Sequence, residues 1–177
     1  VKMNLDYKEL YGANTELGRW LRSKNIIERI GDNLCMHGGL SPEALAQKMS
    51  IDDINKTSRP YYDRAESDRV FQDTLLNAFL GENGLFWYRG YFLAPRITQS
   101  VVDSTLSFYR CRHIIVGHTI TNSNIASYYN AGIFGIDVNE HEGHTEGMLI
   151  EDGRFLIINK NGVKGFVPAG PLKIIVE

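Results

Sequence analysis

The chain has 177 residues, 43% hydrophobic and 23% charged, with 19 Lys plus Arg against 21 Asp plus Glu and a formal net charge of −2 at pH 7. That is the make-up of one ordinary globular domain with enough chain to bury a core. The near-balanced charge gives no electrostatic grounds for binding nucleic acid or an anionic membrane, and no apolar stretch approaches the ~20 residues needed to span a bilayer.

Leu10, Leu17, Trp20 and Leu21 recur at helical spacing and predict a helix over 9–24, weakened at Gly12 and Gly18. Residues 25–30 read as a strand, Gly31-Asp32-Asn33 as a turn, and Leu34 to Met36 as the second strand of a hairpin that delivers His37-Gly38-Gly39. Ser41-Pro42-Glu43 starts a helix, with serine as N-cap and proline at the first helical position, and Ser50-Ile51-Asp52-Asp53 starts another. A helical pattern continues to Leu80, broken at Pro60. Its later part has an apolar face of Phe71, Leu75, Leu76 and Phe79, and Gly81 ends it. From Gly81 to Pro95 the chain is loop-like yet holds Phe86, Trp87, Tyr88, Tyr91 and Phe92, so the loop is expected to be packed and positioned.

Val101, Val102, Leu106 and Tyr109 predict a helix over 98–109 that feeds the strand from His113 to Val116. This strand is apolar on both faces, as in a central strand covered on each side, and it stops at Gly117-His118-Thr119. β-rich runs follow at 125–129, 133–138, 147–151 and 154–159, with Asp152-Gly153 as a hairpin signal between the last two. Cys35 and Cys111 lie in or beside apolar runs and are expected to be free, structural thiols. No repeat, low-complexity tract or linker divides the chain.

Two hydrophobic strands thus each stop at a glycine-flanked histidine. In open α/β sheets, chemistry is assembled at the carboxyl ends of strands. Neutral imidazole is a common metal ligand, and the glycines let backbone approach closely. Alone, each would be an ordinary strand-end histidine; together, His37 and His118 read as half of a metal site. Thr119 and Thr121 are read as orienting the turn through hydroxyl-to-backbone bonds. Asp137, Glu140, His141 and His144 also invite a metal assignment, but Gly143 breaks any helix that would align His141 with His144, so the segment reads as a polar hairpin loop.

His37-Gly38-Gly39-Leu40-Ser41-Pro42, then Trp87-Tyr88-Arg89-Gly90, then Gly117-His118-Thr119 with Ile125, closely resemble the carboxyl-terminal half of calcineurin-like metallophosphoesterases. The nearest branch is the bacterial phosphoprotein-phosphatase-like one that includes the Shewanella-like phosphatases. The resemblance runs from about Leu10 to Asn159. It implies a mixed α/β fold, part of a four-layer αββα sandwich, in which residues 1–177 form the carboxyl-terminal part of a single domain. In that family two divalent ions, manganese, iron or zinc, polarise a phosphoryl oxygen and activate water for in-line attack. His37 and His118 match the two histidines that hold one of those metals. Arg89 matches an arginine that holds substrate phosphate, a task suited to a planar fork donating two parallel hydrogen bonds; the alternative is a surface arginine stacked on Trp87 or Tyr91. Asp137 and His141 fall in a loop that borders the active site in that branch, where an aromatic residue is usual; none lies between Asp137 and His144.

The family's three other motifs, Gly-Asp-x-His, Gly-Asp-x-x-Asp-Arg and Gly-Asn-His-Glu, do not occur, and the chain opens on Val1, so it is read as a fragment. By itself it is then expected to be inactive, to hold at most one weakly bound metal, and to be covered by the missing amino-terminal half or by self-association. Phosphorylated protein, or a small phosphoester, is the implied substrate; a dinucleotide polyphosphate such as diadenosine tetraphosphate is the rival. Two further readings are a non-catalytic binding module that docks a partner through the loop around Trp87, and a mononuclear hydrolase completed by Asp137. No signal peptide is visible at the start. A soluble chain is expected, with cytoplasm and periplasm both open.

Overall fold

The protein is described by a computed structural model covering residues 7–63, 72–121 and 124–170. At the start, the helix expected over 9–24 is two short ones, α1 (Tyr7–Leu10) and α2 (Glu16–Arg22). Thr15 is the cause: its hydroxyl donates to the carbonyls of Leu10 and Gly12 and accepts from Gly18 N–H, which caps α2 and forbids continuity.

Strands β1 (Ile27–Ile30) and β2 (Asn33–Met36) form the expected antiparallel hairpin, with Gly31 supplying φ +61° at its turn. Ser41 caps α3 (Pro42–Ala46), and Ser50 caps α4 (Ile51–Ser58). At Pro60 the chain tightens into a single 3-10 turn, Arg59–Tyr61, as its missing N–H requires. Asp73 caps α5 (Thr74–Leu80), which presents Leu76 and Phe79 to the core; Phe71 lies outside the described residues. The long α6 (Gln99–Tyr109) then leads into β3 (His113–Val116).

After β3 come β4 (Ala126–Tyr128), which ends short of 129 because Tyr129, Asn130 and Ala131 all turn through positive φ, and β5 (Ile133–Gly135), which stops short of the run expected over 133–138. The last elements are β6 (Gly147–Glu151), β7 (Arg154–Asn159) and β8 (Gly162–Phe166). β8 carries no strand signal of its own, since two of its five residues are glycine, and it forms by pairing with β7.

One mixed sheet has the order β1-β2-β3-β5-β4, with β2, β3 and β5 mutually parallel. One face of it, Leu34, Met36, Ile114, Val116 and Ile133, is buried in a cluster with Ile54, Phe79 and Val102 from the helices. On the other face the Phe134 ring stacks on Phe155 of β7 at 4.2 Å, and His113 meets both edge-on. Ile125, Val138 and Ile157 add a smaller apolar cluster there. The architecture is therefore helices over a five-stranded sheet, with the three-stranded sheet β6-β7-β8 against its far side. No helix among the described residues is long and apolar enough to cross a membrane. Both cysteines are free.

Candidate metal and phosphate site

The register that pairs Met36 with Val116 makes β2 and β3 end level, so the next residues leave the sheet side by side. Gly117 N–H donates to the His37 carbonyl at 2.8 Å, tying the two exits together. His118 then adopts φ +63°, and Thr119 N–H closes on the Gly117 carbonyl at 2.7 Å. A three-residue turn with positive φ at its centre is uncommon for a non-glycine residue and costs of order 1–3 kcal/mol. Its effect is to aim the imidazole back at His37: the two ring centroids are 4.8 Å apart, inclined at 55°.

The aromatic loop is pinned over this pair. Gly38 and Gly39 N–H both donate to the Leu85 carbonyl, at 2.7 and 3.3 Å, and a Cβ on Gly38 would lie 2.8 Å from the Phe86 carbonyl oxygen. The buried Tyr91 hydroxyl accepts from Leu40 N–H at 3.0 Å and donates to the Leu40 carbonyl at 3.2 Å. Leu85, Tyr88, Tyr91 and Phe92 are accordingly buried, while Trp87 is 58% exposed. Its ring stands edge-on to His118 at 5.4 Å. Arg89, mostly exposed, donates from Nη1 to the His118 carbonyl at 3.2 Å and to Thr119 Oγ1 at 3.3 Å. The cation–π contacts of the described residues belong to Lys24 and Lys48, so Arg89 is oriented by the histidine turn rather than by a ring.

Burial pushes the His118 imidazole below its ordinary pKa, Arg89 and His37 push it the same way, and Asp137 opposes them. The ring is thereby kept neutral, and its Nε2 is buried with no hydrogen-bond partner. A buried polar atom left unmatched is costly unless something else occupies its lone pair. That orphaned nitrogen, facing a second imidazole, fits a divalent metal. The set is incomplete, however: no group of three or more His, Cys, Asp or Glu side chains assembles among the described residues. Asp137 is half-buried and acts on His118 through its charge, and it forms no three-ligand group with the histidines among the described residues. His141 and His144 are exposed, with His141 in a 3-10 turn, Glu140–Glu142.

Two contacts were not legible in the sequence. Trp87 beside His118 depends on a through-space closure of the 81–95 loop, and Thr119 receives Arg89 rather than serving the turn. Thr121 Oγ1 accepts from the Tyr128 hydroxyl at 2.6 Å, well within the core.

The parallel strands β2 and β3 thus end in paired histidines, with an arginine held beside them. Residues 2–122 match the family model for the calcineurin-like phosphoesterases, and the chain belongs to that family. That stretch contains His37, Arg89 and His118. Among solved structures, a cold-active protein-tyrosine phosphatase of a psychrophilic Shewanella species is 37% identical with a TM-score of 0.77, over 88% of this chain and 46% of that one. Another structure of a cold-active protein tyrosine phosphatase, refined at 1.1 Å, is 36% identical with the same TM-score, over 88% of this chain and 45% of that one. The I115M mutant of such an enzyme gives 37%, 0.77, 88% and 46%. The chain thus spans less than half the length of these structures. A comparison with curated proteins returned no match.

Proposed function

We propose that this chain contributes one metal-ligand pair and the phosphate-holding arginine of a metal-dependent phosphomonoesterase that acts on phosphorylated protein. The observation that carries the reading is the 4.8 Å approach of His37 to the orphaned imidazole of His118, with Arg89 bonded to the same turn. His37 and His118 would hold one of two divalent ions. Such ions, when bound, polarise the phosphoryl group and make water nucleophilic near neutral pH. Imidazole donors suit manganese, iron or zinc.

The residues of this chain have definite tasks. Arg89 spends Nη1 on the turn and keeps the rest of its fork for phosphate oxygens, where a planar donor pair fixes orientation as well as charge. Thr119 and the His118 carbonyl hold that fork in place. Trp87 walls the site on its open side and excludes water from one flank of the histidine pair. Tyrosine phosphate is the substrate class favoured by likeness to the cold-active protein tyrosine phosphatases, with phosphoserine and phosphothreonine as the alternatives. No third ligand joins the two imidazoles among the described residues, so by itself the chain is expected to be inactive.

The test is made in the native gene product, with p-nitrophenyl phosphate and a phosphotyrosine peptide as substrates. His118→Ala and Arg89→Ala should each reduce kcat/KM by about a hundredfold or more. Wild-type turnover in both variants would refute the reading.

A further inference from the structure

Among the aromatic residues of the 81–95 loop, Trp87 alone is mostly exposed. A loose backbone is not the reason. Trp87 and Tyr88 N–H donate to the Gly84 carbonyl at 3.0 and 2.9 Å, Leu85 N–H donates to the Phe79 carbonyl at 2.9 Å, and Phe92 and Leu93 N–H both donate to the Arg89 carbonyl at 2.9 Å. The chain on either side of the indole is thus bonded down, and the ring is held out in water. A lone exposed apolar residue carries no message by itself. The place of this one does.

The Trp87 ring lies 5.4 Å from that of His118, with the planes inclined at 83°. Two residues further on, Arg89 is bonded through Nη1 to the His118 carbonyl and to Thr119 Oγ1. The indole and the guanidinium fork therefore stand on one short stretch of chain and converge on the same histidine. Among the described residues, His118 is the one ring that Trp87 meets, and the cations seated over rings are Lys24 on Trp20 and Lys48 on Phe108. A π-face of Trp87 is accordingly unoccupied. A phosphoryl group held on Arg89 presents its ester group along the open flank where that face stands. In an aryl phosphate the ring is joined directly to the ester oxygen, close enough to reach the ~4.5–7 Å centroid separation at which aromatic rings attract. A seryl or threonyl phosphate brings a saturated carbon to the same position and has no face to stack.

We infer that Trp87 is the specificity-determining residue of this site, a stacking platform for the ring of an aryl phosphate such as phosphotyrosine. The inference rests on the phosphomonoesterase reading and adds to it the choice between aromatic and aliphatic esters. Both arms of its test use the native gene product. The first is the ratio of kcat/KM for a phosphotyrosine peptide to that for the same peptide carrying phosphoserine. Trp87→Ala should lower this ratio about three- to tenfold, the range expected for one aromatic pair, and Trp87→Phe should restore most of it. The second arm needs no turnover. Phenylphosphonate, which is not hydrolysed, should quench part of the indole fluorescence saturably, ethylphosphonate should not, and the quench should vanish in Trp87→Phe while calorimetry still records phenylphosphonate binding. A wild-type protein that shows the quench but turns over neither peptide would remove the phosphomonoesterase reading and leave the stacking platform standing. Turnover with an unchanged ratio in Trp87→Ala overturns the inference, and so, whatever the turnover, does a quench that is absent or equal for the two phosphonates.

Discussion

Arg89 reaches the histidine turn through Nη1, so its position depends on the His118 carbonyl and Thr119 Oγ1. Lysine has one point charge and cannot serve both the turn and a phosphate. Arg89→Lys in the native gene product should lower kcat/KM about tenfold or more while leaving Tm and metal content unchanged, as steady-state kinetics beside a melting curve will show. Gly38 makes a different claim. A Cβ there meets the Phe86 carbonyl oxygen at 2.8 Å and Tyr88 N at 3.0 Å, both backbone atoms that cannot swing away. Gly38→Ala should therefore cost about 1–3 kcal/mol, read as a lower midpoint in urea, by pushing the aromatic loop off the site. Both histidines and Arg89 were legible as residues because each sits in a short motif of fixed spacing. Their mutual distance was not, because it is set by the register of β2 against β3.

Elements lock to one another here through single buried side chains. Asn55 on α4 is buried at the edge strand: its Oδ1 accepts from Ile26 N–H at 2.9 Å, and its Nδ2 donates to the Ile27 carbonyl at 2.8 Å. Asn55→Ala leaves those backbone groups without partners, and should destabilise the chain by about 2 kcal/mol or more, some 4–8 °C in Tm by calorimetry. The sequence announced caps and turns well, because Ser41, Ser50, Pro60 and Asp152-Gly153 act locally. It did not announce the break in the first helix, which comes from Thr15 bonding backwards to Leu10 and Gly12. Nor did it announce β8, whose glycine-rich stretch becomes a strand only by pairing with β7. Both depend on a competition between local hydrogen bonds and tertiary pairing that periodicity does not register.

For the molecule as a whole, several buried tyrosines define the alkaline limit. Burial pushes the Tyr109 phenol up to about 12, and the Tyr88 and Tyr91 phenols are raised as well. A phenol raised above its unfolded value of about 10 contributes stability that is complete below that value and is lost as pH climbs through the folded one. Tm should stay level to about pH 9 and fall above about pH 10, as a circular-dichroism melt series will show. The chain also exposes Trp20, Val163 and Phe166 by 55%, 60% and 71%. Alone it is expected to self-associate in sedimentation and to turn over no p-nitrophenyl phosphate with manganese. The central claim, that His37 and His118 form a metal-ligand pair, is tested most directly by adding substoichiometric manganese to the purified chain and recording the imidazole proton resonances. Selective paramagnetic broadening of His37 and His118, abolished in His37→Ala, is the predicted result; equal broadening of all five histidines, or broadening led by His141 and His144, would contradict it.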